Sequence, residues 1–234
     1  MKLSDLKTEL RQAAEPDDAI TLQRFFKTGK GEYGEGDIFL GVKIPPIRVL
    51  VKKYSELSID DAVKLLQSKI HEERMLALLI LVRKFKKAGD EERKIIYQLY
   101  LANTKKINNW DLVDLSAPNI VGEYLLGKKY AELIKRAKSD LLWDKRISMI
   151  ATLTFIRKGI FEPSLVIAKI LMNDEHDLIH KAVGWMLREI GKRDLEAEEE
   201  FLRIYYKQMP RTMLRYAIEK FQENKRQDYL KGRI

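Results

Sequence analysis

The chain has 234 residues, 45% of them hydrophobic, which supports a continuous core and excludes a disordered polymer. Lys and Arg number 44 against 35 Asp and Glu, a formal charge of +9. That balance points to a polyanionic partner, although ribosomal and membrane-surface proteins share it. With no cysteine, disulfides, thiolate metal sites and cysteine nucleophiles are excluded together.

The opening Met1-Lys2-Leu3-Ser4-Asp5 lacks the apolar core of a signal peptide. No apolar run approaches the roughly 20 residues of a membrane span. A soluble, cytoplasmic protein without a membrane partner is therefore expected.

Apolar residues recur with helical spacing almost everywhere, and strand alternation is almost absent. The predicted helices run over 4–14, 16–26, 45–57, 58–67, 72–87 and 90–103. They continue over 109–115, 118–126, 130–139, 142–158, 162–172, 177–192, 194–208 and 210–222, with a short tail helix. Pro16, Pro45, Pro118, Pro163 and Pro210 all fall near predicted starts, where a missing N–H costs least. Asp90, Asp177 and Asp194 are candidate N-caps. One segment breaks the pattern, Thr28-Gly-Lys-Gly-Glu-Tyr-Gly-Glu-Gly-Asp37. It lacks the Gly-Lys-Ser/Thr ending of a phosphate loop, and Glu32, Glu35 and Asp37 would repel phosphate. A surface loop or small hairpin is expected there; the alternative is a finger touching DNA through Lys30 and Tyr33.

Many short helices joined by short turns suggest repeats. Arg74-Met-Leu-Ala-Leu78, Arg146-Ile-Ser-Met-Ile150 and Lys181-Ala-Val-Gly-Trp185 each open on a basic residue and continue with mainly small or apolar ones. Each precedes a basic cluster: Arg83 to Lys87, Arg157-Lys158 and Lys192-Arg193. The spacing fits a unit of about 36 residues with one member near Trp110, close to the paired-helix repeats of the HEAT class. The expectation is an all-α, HEAT-like helical-repeat solenoid forming a single domain over residues 1–234. Stacking of neighbours would then line Trp110, Arg146 and Lys181 in one row and the basic clusters in a ridge.

Asp114 follows Trp110 by one helical turn, Trp185 follows Lys181 likewise, and Arg188 shares the face of Trp185. An acid among indoles and guanidiniums suits cleavage of an N-glycosidic bond. A fixed carboxylate stabilises positive charge on the sugar, indole faces attract a cationic purine nucleoside, and arginines grip phosphates. The competing reading is structural: ion pairs and core tryptophans. His176 and His180 have i,i+4 spacing, but no third ligand is evident, so no metal and no cofactor are expected. Trp143, near a helix start, reads as packing.

Asn109-Trp-Asp-Leu-Val-Asp114, Leu142-Trp-Asp-Lys-Arg146 and Lys181-Ala-Val-Gly-Trp-Met-Leu-Arg-Glu189 resemble, in order and spacing, three motifs of the AlkD family of alkylpurine DNA glycosylases. The resemblance runs from about residue 20 to 220. It implies a HEAT-like fold with a basic channel for double-stranded DNA, acting as a monomer on alkylated substrate. It also implies excision of 3- or 7-alkylated purines without a metal. By the same resemblance Asp114 is the catalytic carboxylate, Trp110 and Trp185 flank the lesion, and Arg146 binds backbone. Arg188, Lys181, Arg157, Lys158, Lys192 and Arg193 are the further candidate DNA contacts. The chain departs from the family pattern at Asn109, where a second tryptophan is common, at Thr154 in place of a lysine, and at Phe25 in place of a tyrosine. The alternatives are a non-catalytic binder of branched or damaged DNA and a protein-binding HEAT adaptor.

Overall fold

The computed structural model describes residues 2–234, and the regular structure among them is helical, with no strand. One isolated parallel bridge joins Ile38 to Ile70. No helix among the described residues is long and apolar enough to cross a membrane. The chain divides into two compact units, Met1–Ile120 and Val121–Ile234.

In the first unit the helices are α1 (Leu3–Gln12), α2 (Pro16–Phe25), α3 (Ile44–Lys53), α4 (Ile59–Leu66), α5 (His71–Lys87), α6 (Asp90–Ala102) and α7 (Trp110–Ala117). Helices α3, α4, α6 and α7 all pack on α5. Leu76, Leu78, Ile80 and Leu81 point to different sides of α5, yet all are fully buried. A helix apolar on every side belongs at the centre of its unit. Each of these side chains contributes roughly 1.5–3 kcal/mol by leaving water. Ser58 caps α4 by accepting the Asp61 N–H at 3.1 Å.

The second unit holds α8 (Glu123–Leu125), α9 (Ala131–Ala137), α10 (Leu142–Ala151), α11 (Leu153–Arg157), α12 (Glu162–Leu171), α13 (Asp177–Gly191), α14 (Leu195–Tyr205), α15 (Arg211–Ala217) and α16 (Glu223–Leu230). Here α13 is the hub, with α10, α11, α12, α14 and α15 against it. Its approach to α15 is close at Gly184, where a Cβ would stand 2.4 Å from the Met213 carbonyl oxygen. The glycine of the Lys181-Ala-Val-Gly-Trp185 segment is thus a packing requirement.

Four expectations need correction. The helix predicted over 142–158 is two, α10 and α11, broken at Thr152. At the break the Thr152 hydroxyl donates to the Met149 carbonyl at 2.6 Å, and Gly122 packs against it, where a Cβ would lie 2.4 Å from the Ala151 oxygen and 2.7 Å from the Thr154 hydroxyl. Pro118 opens a π-helical stretch rather than an α-helix of its own. The chain passes from α7 directly into a wide π turn, Pro118–Gly122, where the proline lacks the N–H that an α turn would use. Asp90 and Asp177 are first helical residues rather than caps; Gly89 and His176 precede them, and the His176 ring accepts the Leu178 N–H at 3.1 Å. Asp194 caps α14 as expected, accepting the Ala197 N–H at 3.0 Å.

The glycine-rich segment is a run of turns, not a hairpin. Glu32 accepts the Gly29 N–H and Glu35 the Gly31 N–H, both at 2.8 Å, so these acids satisfy their own loop. The three basic clusters share a local cause. The first lies in the last turn of α5, Arg157 ends α11, and Lys192 follows α13. Cations are favoured at the negative end of a helix dipole.

Candidate active site

The first turn of α5 carries four ionisable side chains, His71, Glu72, Glu73 and Arg74, each no more than 2% exposed. Buried charge is tolerated only when paired, and every one of these is. Glu73 pairs with Lys7 at 3.0 Å and Arg11 at 3.1 Å on α1. Glu72 accepts the N–H groups of Leu40, Gly41 and Val42 at 3.0, 2.9 and 3.2 Å. That cradle requires Gly41, which has φ +86° and stands where a Cβ would lie 2.0 Å from the Glu15 carbonyl oxygen. The Ile38–Ile70 bridge, with the His71 N–H donating to the Ile38 oxygen at 2.8 Å, delivers the preceding residue, Asp37, to the same place. Asp37 then accepts from Arg74 at 2.5 Å, from Asn108 at 2.9 Å and faces the His71 ring at 3.3 Å. Burial pushes the Asp37 carboxyl up, but the His71 hydrogen bond, the Arg74 charge and the Asn108 hydrogen bond outweigh it and hold it below its ordinary value.

This turn also reaches α7. His71 Nε2 lies 2.8 Å from Asp111, between Trp110 and Asp114 in sequence. Above it rings are stacked in a column. His71 lies 4.3 Å from Phe39, Phe39 is 5.1 Å from Phe26, and Phe26 is 5.2 Å from Trp110. Phe25, 61% exposed, meets the Trp110 ring edge-on at 5.8 Å. Beside the column is a cavity of about 370 Å³, walled by Phe26, Phe39, Ile47, Met75 and Trp110, with Asp114 also lining it. A half-buried carboxylate on the wall of an aromatic cavity suits a ligand that is cationic and flat, because ring faces and carboxylate attract positive charge together. Asn109, where a tryptophan was the family expectation, is fully buried and caps α7 by accepting the Trp110 N–H at 2.8 Å.

In the second unit α13 carries Lys181, Trp185 and Arg188, all half-buried. Lys181 pairs with Asp177 at 2.6 Å, Arg188 pairs with Glu219, and the Trp185 indole N–H donates to Glu189 at 3.3 Å. Glu189 also takes Lys192 at 2.5 Å and Arg193 at 3.2 Å. Burial raises the Glu189 carboxyl, but Lys192, Arg193 and the indole outweigh it, so its value is lowered. Arg146, on α10, is only 5% exposed and donates to the Leu178 carbonyl at 2.7 Å, tying α10 to the first turn of α13. Arg157 and Lys158 are exposed. Trp143 is buried, as its place near a helix start suggested. The two histidines with i,i+4 spacing are used locally: His176 as a cap, and His180 within 2.5 Å of the Asp174 carbonyl. No group of three potential metal ligands occurs among the described residues. The reading of the sequence missed the buried charges of residues 71–74 and their partner Asp37. A signal was present: four charged residues run directly into an apolar stretch too apolar to have a wet side.

An all-α chain with a carboxylate and indole on one short helix, and a basic excess overall, has the makings of a nucleic-acid enzyme. The family model described as DNA alkylation repair enzyme matches residues 6–221, and the chain belongs to that family. A solved structure, described as a predicted DNA alkylation repair enzyme from Enterococcus faecalis, has the same fold, with a TM-score of 0.68. The two are 16% identical, and the match covers 90% of this chain and 97% of that one. No curated protein matches the chain.

Proposed function

We propose that this member of the DNA alkylation repair family is a glycosylase that releases cationic 3- or 7-alkylated purines from duplex DNA. The observation that carries the reading is Asp114, one turn from Trp110, on the wall of an aromatic cavity. In the proposed reaction the bond between C1′ and the purine nitrogen breaks, and its electron pair neutralises the alkylated base. Positive charge passes to the sugar, where the Asp114 carboxylate offsets it. Water then adds to C1′ and gives up a proton. Trp110 and Trp185 support the cationic nucleoside through their ring faces. Lys181, Arg188, Arg157, Lys158, Lys192 and Arg193 contact the phosphate backbone, and Arg146, buried on the Leu178 carbonyl, joins them only by giving up that bond. The single HEAT-like solenoid over residues 1–234 and action as a monomer belong to the same reading.

Two observations favour a second reading, binding of branched or damaged DNA without excision. Asn109 is committed to capping α7, and Thr154 is buried beside Gly122. Neither position offers a side chain to substrate.

Incubating alkylated DNA with the protein and measuring free 3-methyladenine and 7-methylguanine separates the two. Wild type should release base, and Asp114→Asn should lower the single-turnover rate by about 100-fold or more, with DNA affinity nearly intact. DNA binding by the wild type without base release would leave only the second reading.

A further inference from the structure

His71 belongs to none of the motif segments, yet its side chain joins the glycine-rich loop to α7, beside the Asn108–Asp37 hydrogen bond. Asp37 Oδ2 lies 3.3 Å from Nδ1 and Asp111 Oδ2 lies 2.8 Å from Nε2. Carboxylates only accept. A neutral imidazole has a single N–H and would turn its other lone pair toward a carboxylate oxygen; the doubly protonated ring donates at both ends. Asp111 uses its other oxygen within its own turn, accepting the Leu112 N–H at 2.8 Å. A pull on Asp111 is therefore a pull on the first turn of α7, which carries Trp110 and, one turn on, Asp114. The ring column adds a second connection, since His71 stacks on Phe39 and Phe26 stacks on Trp110.

We propose that His71 is a positioning residue: bridging Asp37 and Asp111, it holds the first turn of α7 so that Trp110 and Asp114 keep the arrangement excision requires. The proposal rests on the glycosylase reading above. The charged groups around His71 are Asp37 from the loop, Asp111 on α7, Glu72 and Arg74 on α5, and Asp114, which lines the same cavity. Burial works against the protonated ring and so does Arg74, but the charge and hydrogen bond of Asp111 and the hydrogen bond to Asp37 prevail, and the pKa is raised. A raised histidine value places the bridge's full contribution below the unfolded value and its loss at pH rising through the folded value. The excision rate should therefore fall on the alkaline side as His71 loses its proton.

The test combines three measurements on the full chain. The first is ¹⁵N NMR of the histidine rings across pH, to find the protonation state of His71. The second is hydrogen exchange of the amides of residues 110–114 and of α13, expressed as protection factors. The third is the single-turnover excision rate against pH, for wild type and His71→Gln. Expected are a doubly protonated His71 ring at pH 7 and loss of protection at 110–114, but not in α13, when it titrates. The Gln variant should show a rate lowered roughly 10- to 100-fold without the alkaline limb, and DNA affinity within about twofold. A neutral His71 at pH 7, unchanged protection at 110–114, or a Gln variant with wild-type rate and limb overturns the proposal. The first two measurements need neither a variant nor activity. They judge the bridge even where His71→Gln fails to fold, and a wild type that releases no base fails the glycosylase reading while leaving them in force.

Discussion

Arg74 opens one of the repeated segments on α5 in the first unit and Lys181 opens the matching segment on α13 in the second, yet the two meet opposite surroundings. The Arg74 side chain is 2% exposed and bonds Asp37 and the Ser68 carbonyl. The Lys181 side chain is 39% exposed and pairs with Asp177 on its own helix. Arg146, the third member of the pattern, stands between them: buried, but spent on a backbone carbonyl. A repeated sequence pattern therefore fixes where a cation is placed, not what it does. In the first unit the charges face inward and bind separate chain segments to one helix turn. In the second, Lys181, Arg188, Lys192 and Arg193 stay nearer the surface and pair with acids there, while Arg146, Glu198 and Glu199 are buried.

The largest expected effect breaks the inward set. Arg74→Met leaves the buried Asp37 carboxylate short of its main partner and should cost about 3 kcal/mol in urea unfolding. A loss below roughly 0.5 kcal/mol, the scale of a surface pair, would mean that the buried charges are not a structural hub.

A smaller effect concerns a buried acid of the second unit. Glu198 is 1% exposed, and burial with the neighbouring Glu199 pushes its carboxyl up to about 9 against an opposing pull from Arg188. The folded protein then holds a proton that the unfolded chain releases above the ordinary glutamate range. Stability should fall with rising pH across that window, at up to about 1.4 kcal/mol per unit, and flatten beyond the folded value. Glu198→Gln should reduce that slope, leaving the share that His71 contributes in the same direction. Equal slopes in variant and wild type at pH 6, 7 and 8 would remove Glu198 as its source.

The smallest effect is at the surface. Lys181→Met should change stability by no more than about 0.5 kcal/mol, because the Asp177 pair is solvated. If Lys181 contacts phosphate, duplex DNA affinity should drop and the salt slope decrease by about 1. Unchanged salt dependence would remove Lys181 from the interface.

The helices themselves were legible because their signals are local: apolar spacing, prolines in the first two positions of α2 and α12, and the Asp194 cap. The catalytic candidates on α7 were legible as a motif. The break at Thr152 was not, because it packs on Gly122, and the hub at residues 71–74 was not, because its anion is Asp37. Both depend on partners some thirty or more residues away, which periodicity and caps do not register. Nor did the pattern of acids in the glycine-rich loop reveal that Glu32 and Glu35 would turn back on their own backbone.

That loop has a practical use. Its acids close it on itself, the Gly34 N–H returns to the Lys27 carbonyl at 2.9 Å, and the Asp37 N–H donates to the Gly34 carbonyl at 3.1 Å, so the loop holds its shape through its own bonds on both sides of Lys30. The chain contains no cysteine, and Lys30 is exposed. A cysteine placed at Lys30 would be the sole thiol in the molecule, an address for a fluorophore or spin label that can watch a nucleic acid arrive without loosening the charged turn underneath.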